Sequence, residues 1–369
     1  MDKINLWLWL ESKNISKKTK VGLYNIYGSI ENIYNADRES IESSGLKISS
    51  KYIDKLCDKT IENDELLNKF EFLKIKPVSI DMEEYPQILK QTENPPVVIY
   101  CRGKFINLNE KMCVSVVGSR KMSVYGKNVA YNISKQMAQK GAVIVSGMAY
   151  GIDTMAHNGA LDADMPTVAV LGCGVDTVYP KANKGLMDKI METGMVISEY
   201  PMGTAPLAFN FPERNKIVAG LSVATVVIEA DIKSGSLITA ELAKKYGRDV
   251  YAVPGNIDSV YARGTNYLIQ NGAGLVTCGE DIIKNYPQHN QKLVKKEVIQ
   301  KPVNNVEKGS PIEEKILNCL GTEPVSIDVL SNISGIDIAV LNSKLLIMEI
   351  QGKIAKHPGN RYSINEGRI

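Results

Sequence analysis

Along the chain the apolar positions change period several times, and those changes divide it into parts. Up to about residue 75, apolar residues recur at mixed three- and four-residue steps: Leu6, Leu8, Leu10, Val21, Leu23, Ile26, Ile30, Ile33, Ile41, Ile53, Leu56, Leu66, Leu67 and Phe70. That is helical spacing, and Gly28-Ser29 and Ser43-Ser44-Gly45 interrupt it where helix hairpins would turn. Residues 1–75 are therefore expected as an all-helical domain. Small modules of this type sometimes hold DNA backbone at their hairpins. Neither hairpin here has a clean glycine pair, so a packing or dimer-contact role is the expectation. Residues 76–110 read as a connector, because Pro77, Pro86, Pro95 and Pro96 forbid a long helix. Val97 to Tyr100 is expected to add a strand at the edge of the main sheet.

From Val114 short apolar runs alternate with helical spacing. Strands are expected at 114–117, 142–146, 167–171, 195–199, 223–228, 249–253 and 274–277. Helices are expected between them, at 124–140, 152–163, 183–193, 213–221, 236–246 and 264–271. Nearly continuous apolar strands separated by helices predict an α/β core, 76–285, with a mostly parallel sheet covered on both faces. Residues 286–309 are polar with almost no apolar period, and are expected as a flexible linker. Residues 310–369 recover order, with a helical stripe at Ile312, Ile316, Leu317 and Leu320. A helix–turn–helix follows around Gly335, and then a hairpin turning at Pro358-Gly359-Asn360. Three helices and a hairpin predict a small winged helix.

Composition narrows the class. The 369 residues are 44% hydrophobic and 23% charged, ordinary for two or three globular domains. The formal net charge is only +3, so a site for a polyanion must be local. Six scattered cysteines without a CxxC pair, and three histidines, give no zinc constellation and favour a reducing cytosol. The apolar patch in MDKINLWLWLESKN is too short for a membrane span or signal. A soluble cytoplasmic protein without metal or cofactor is expected.

Candidate chemistry gathers at expected strand ends. Gly118-Ser119-Arg120, Ser146-Gly147 with Gly151, Lys233-Ser234-Gly235-Ser236, and Tyr179 to Asn183 with Lys181 are small-residue or basic turns on one sheet edge. Glycine and serine let backbone approach an anion, and a following helix offers unpaired N–H groups. Together they predict a phosphate-lined groove. In APLAFNFPERN, Phe209 and Phe211 stand beside Arg214, Asn215 and Lys216, an aromatic and basic cluster suited to stacking a base and holding its phosphate. At least one of the two rings is expected in the core, with Phe211 nearer the ligand. There is no GxGxxG after the first strand and no P-loop. Catalytic candidates are thin: Asp153 with His157, and Glu229 with Glu241. No nucleophile elbow is present. The wing is basic through Lys353, Lys356, His357 and Arg361, but the helix before it lacks basic excess, so DNA and protein docking both remain open for that domain.

Eight ordered blocks carry a resemblance: VVGSR, SGMAYGIDTMAH, LGCGVDTVYPKAN, SEYPMG, FPERNKIVAGLS, EADIKSGSLITAELA, GRDVYAVPG and GTNYLIQNGA. With them the chain resembles the DprA/Smf family of DNA-processing proteins, in its long form. The resemblance implies an extended Rossmann-like core between a helical domain, SAM-like or helix-hairpin-helix-like, and a winged helix. It implies sequence-independent, non-catalytic binding of single-stranded DNA. It also implies a homodimer, and protection of incoming DNA with its delivery to the RecA recombinase during natural transformation. The groove residues it implies here are Gly118, Ser119, Arg120, Phe211, Arg214 and Asn215. Many members carry a basic residue three positions before the FPxRN phenylalanine, where this chain has Ala208; Lys216 and Lys233 are candidates to compensate. The implied dimer contact lies near Tyr267, Leu268 and Leu275. The alternative reading is a nucleotide phosphoribohydrolase of the lysine-decarboxylase-like Rossmann group, suggested by Ser234-Gly235-Ser236 leading to Glu241. That group's longer double-glycine turn is missing from this chain.

Overall fold

A computed structural model describes residues 2–287, 311–321 and 324–364. The chain divides into two compact units, residues 1–296 and 297–369. The expected linker lies almost wholly outside the described residues.

Six helices fill the chain between Lys3 and Leu73. The apolar patch at the start is the helix Lys3–Ser12, with Trp7, Trp9 and Leu10 fully buried. Each indole finds an acceptor: Trp7 Nε1 donates to Asp81 Oδ1 at 2.8 Å and Trp9 Nε1 to the Asp58 carbonyl at 2.9 Å. These helices share one apolar core with the adjoining sheet, running from Trp7 and Leu23 through Val78 and Tyr100.

The sheet has nine strands: β1 (Ile75–Ser79), β2 (Val98–Gly103), β3 (Cys113–Val117), β4 (Val143–Ser146), β5 (Thr167–Val170), β6 (Met195–Ser198), β7 (Ala224–Val227), β8 (Asp249–Ala252) and β9 (Gly274–Leu275). Their order is β1-β2-β6-β5-β4-β3-β7-β8-β9. β3 to β9 are parallel, whereas β1 and β2 are antiparallel additions. The seven strands from 113 onward fall where the apolar runs put them, and all residues of β3 to β7 are buried. One correction concerns the edge. The strand near Val97 is not outermost, because Ile75–Ser79 pairs with it on the far side. Pro77 lies inside that unexpected strand, which an edge tolerates because a missing donor there breaks no ladder on the outer side.

The chain leaves β3 toward β4 on one side and later returns to β7 on the other. The carboxyl ends of β3 and β7 therefore border the switch point, where a doubly wound sheet opens a crevice.

In the second unit, helices Pro311–Cys319, Ile327–Ser334 and Ile338–Ile350 pack with a three-stranded sheet made of β10 (Val325–Ser326), β11 (Ile354–His357) and β12 (Arg361–Ile364). Leu330, Leu341, Leu345 and Met348 form its core. This is the expected winged helix. Gly335 and Gly359 take the left-handed backbone its turns require, at φ 62° and 82°. The helix Ile338–Ile350 exposes Val340, Leu346 and Ile347. No single described helix is long and apolar enough to cross a membrane.

Candidate nucleic-acid interface

The crevice is a cleft of about 530 Å³. Its walls are the turn Gly118–Arg120 after β3, the start of the helix Asn210–Gly220, and the first turn of the helix Gly235–Lys245 after β7. Val117 ends β3 inside the buried sheet, so Gly118 is where the chain first emerges. The turn is held from β7: Ser119 N–H donates to the Glu229 carbonyl at 2.8 Å. The Glu229 carboxylate, 4% exposed, accepts the Ser123 N–H at 2.9 Å and also the Ser123 hydroxyl. Ser123 in turn caps the next helix through Gly126 N–H at 3.0 Å. Glu229 is thus a brace, spatially committed to Ser123. Glu241, its candidate partner, is exposed on the helix Gly235–Lys245.

Phe211 lines the cleft half-buried. Its ring lies 5.2 Å from the Tyr179 ring at 36°, and 5.5 Å from the Arg120 guanidinium. An aromatic face beside an exposed cation can take a flat ligand on one side and an anion on the other. Neither phenylalanine belongs to the core. The helix begins at Asn210, so the alternation of Phe209 and Phe211 is not strand alternation, and Phe209 is 70% exposed. On the opposite wall Ser234 caps the helix, accepting Ser236 N–H at 3.3 Å, and Gly235 leaves its first turn open. The positive end of a helix dipole favours an anion.

Arg214 is different from Arg120. It is 4% exposed, and its Nη1 donates to the carbonyls of Gly147 at 2.5 Å and Val170 at 2.7 Å. Burial lowers its pKa from the ordinary value, opposed by nearby Asp153. It welds the ends of β4 and β5 to the floor of the cleft. The guanidinium occupies the space a side chain at 147 would need, which is why that position is glycine. Asp153 accepts Gly147 N–H at 3.1 Å and Ala149 N–H at 3.4 Å, and burial pushes its carboxyl up. Gly151, at φ 77°, packs against the Ser119 and Arg120 carbonyls, where any Cβ would collide.

The remaining candidates divide. Asn215 lines the cleft. Ser146 is fully buried and donates to the Val116 carbonyl at 2.6 Å, so it braces two strands. Asn183 is 8% exposed and bonds the Met148 carbonyl and Thr154 Oγ1. Lys181 and Lys233 are exposed but outside the cleft lining. Lys216 is held by Glu213 at 2.7 and 2.8 Å. His157 is fully buried against Thr167 Oγ1 at 2.8 Å, so no Asp153–His157 pair forms. Tyr179, Pro206, Ala208 and Thr239 also line the cleft. Tyr179 and Ala208 had a signal, the first in the Tyr179–Asn183 turn and the second three positions before Phe211. At the other end of the sheet Tyr267 and Leu275 are 50% and 53% exposed, but Leu268 is 4% exposed and faces the core, which corrects its placement at a contact. Among the described residues no group of acidic, histidine and cysteine side chains could hold a metal.

Fold and cleft define a doubly wound α/β protein with a cleft at the switch point of the sheet. The model of the DNA recombination-mediator protein A family matches residues 76–287, and the DprA winged helix domain matches 300–360. The chain belongs to the DprA/Smf family of DNA-processing proteins. It is 32% identical to Protein Smf of Synechocystis over 84% of this chain and 86% of that one. It is 44% identical to DNA processing protein DprA of Streptococcus pneumoniae over 61% and 78%. The solved DprA structure from Streptococcus pneumoniae superposes with a TM-score of 0.68 at 36% identity, over 77% of this chain and 98% of that one. DNA processing protein A from Helicobacter pylori, described for its single-stranded DNA binding mode, gives 0.53 at 29% identity over 58% and 97%.

Proposed function

We propose that this chain binds single-stranded DNA without sequence preference and without catalysis, and that as a homodimer in the cytoplasm it protects incoming DNA and loads RecA onto it during natural transformation. The observation that carries the binding step is the pairing of the Arg120 guanidinium with the recessed Phe211 ring, opposite the open helix end at Ser234-Gly235. One wall suits bases, the other backbone phosphate, and neither offers a base-edge code. The Helicobacter pylori relative's single-stranded DNA binding and the family's DNA-processing role support the same reading. The non-catalytic part is supported by what the titratable candidates are doing. His157 is sealed in the core, Glu229 braces a turn, and Asp153 is taken up by backbone amides.

The test compares oligo-dT with duplex of the same length by fluorescence anisotropy, without nucleotide or metal. Preference for the single strand is expected. Equal affinity would sink the proposal. Incubation with nucleoside monophosphates is expected to release no free base; release at an enzymatic rate would favour the phosphoribohydrolase. RecA filament assembly on coated single strands, with and without the protein, tests the loading step.

A further inference from the structure

An ion pair links the N-terminal helices to the cleft's own helix. Lys17 opens the helix Lys17–Tyr27. It is paired with Glu199, just after β6, and its Nζ lies 3.8 Å from Glu213 Oε2. The Glu199 side chain is only 6% exposed, and its Oε1 has no hydrogen-bond partner. Glu213 sits between Phe211 and Arg214 in sequence and also holds Lys216 on both oxygens. The four groups alternate in sign: Glu199, Lys17, Glu213, Lys216. Two carboxylates thus stand behind a helix whose other side lines the cleft. Among the described ion pairs, Lys17 is the one cation on Glu199, and it shares Glu213 with Lys216. The Tyr200 phenol senses the same charges, raised first by burial and then by Glu199 and Glu213.

We propose that Lys17 is a positioning and charge-balancing residue for the cleft, through which the N-terminal helices tune its affinity for a polyanion. The inference rests on the reading of the cleft as a single-stranded DNA site. With Lys17 present, the negative charge of Glu213 is offset by two cations. Without it, Lys216 alone offsets Glu213 and Glu199 stands uncompensated nearby, so an approaching polyanion meets a more negative field. The Glu213 contacts are partly exposed, so the effect is modest and fades with salt.

Lys17→Met alone would strand a buried carboxylate and risks unfolding the protein. It is therefore read in the Glu199→Gln background, with thermal unfolding as the check on folding. At low salt, Lys17→Met/Glu199→Gln is expected to bind oligo-dT about two- to fivefold more weakly than Glu199→Gln, the size of one partly exposed charge pair. Adding Glu213→Gln to both is expected to abolish that difference, which a merely structural loss would leave in place. Lys17→Arg is expected to bind as the wild type. Equal affinity of the first two variants, or a loss undiminished by Glu213→Gln, overturns the role of Lys17. A wild-type chain that fails to bind oligo-dT overturns the single-stranded DNA reading itself.

Discussion

Glu229 grips Ser119 and Ser123 with different parts of itself, the first through its carbonyl at 2.8 Å and the second through its carboxylate at 2.9 Å. One residue at the end of β7 thereby sets both ends of the turn that carries Arg120. Glu229→Ala is expected to lose about 1.5–3 kcal/mol, the range for a hydrogen bond to a charged group. It should also weaken DNA binding, because Arg120 would have to be ordered on contact. Glu229→Gln keeps the shape and an acceptor, and should lose less of both. Urea unfolding with parallel anisotropy titrations checks this. A variant as stable as wild type would show that the brace carries no energy.

Arg120 and Phe211 should fail in different ways. Arg120→Ala is expected to weaken oligo-dT binding by about 1.5–3 kcal/mol. It should also flatten the log–log salt slope by about 0.7, one phosphate contact on a single strand. Phe211→Ala should lose about 1–3 kcal/mol of stacking with the slope nearly unchanged. Lys181→Ala tests whether the exposed lysine beyond the cleft lining extends the track; an unchanged slope would end the track at the cleft. Arg214→Ala, by contrast, is expected to show first as lost stability of about 3 kcal/mol, because two buried carbonyls lose a charged donor. A salt series on folded variants separates these cases.

Acid should act through His157. Burial, with Arg214 nearby, pushes its pKa down to about 3. The folded value lies below the unfolded one, so the stability of the neutral ring is present above about pH 6.5 and is lost as pH falls toward 3. Over that window the loss approaches about 4–5 kcal/mol. Asp153 works in the opposite sense: burial raises its carboxyl, so its contribution favours acid and disappears as pH rises through its folded value. Urea midpoints between pH 7 and pH 4 (on the order of one proton's slope) should fall for the wild type and much less for His157→Gln. Parallel curves would assign the acid transition to other groups.

Assembly separates two neighbouring leucines. Leu268→Ala removes a buried side chain and is expected to destabilise by about 2–5 kcal/mol without a specific effect on oligomeric state. Leu275→Arg changes an exposed edge position, and under the homodimer proposal should give monomers at unchanged stability. Light scattering over a concentration series reads the difference. A Leu275→Arg protein that stays dimeric places the contact elsewhere.

What the sequence made legible follows from where the physics is local. The runs at Val114, Val143, Val168, Val196 and Thr225 are buried on both faces, so each had to read as apolar whatever its partners. β1 was hidden because Pro77 argues against a strand until an edge position excuses it. Arg214 and Arg120 look alike in sequence. Only the glycine at 147, opposite in space and far away in the chain, makes room for one of them to be buried. Leu268 and Leu275 stand on different elements, the helix Arg263–Gln270 and the two-residue strand β9, and β9 is too short for an alternation that would show which side Leu275 faces.

The depth at which Phe211 sits has one more consequence. A ring half-buried between Tyr179 and Arg120 meets only a flat group that can leave its own stack and enter the cleft. Paired bases would have to separate first, at a cost of a few kcal/mol. Under the proposed function, discrimination against the double helix then needs no clash and no repulsive charge. It follows from how far below the surface a single aromatic ring is placed.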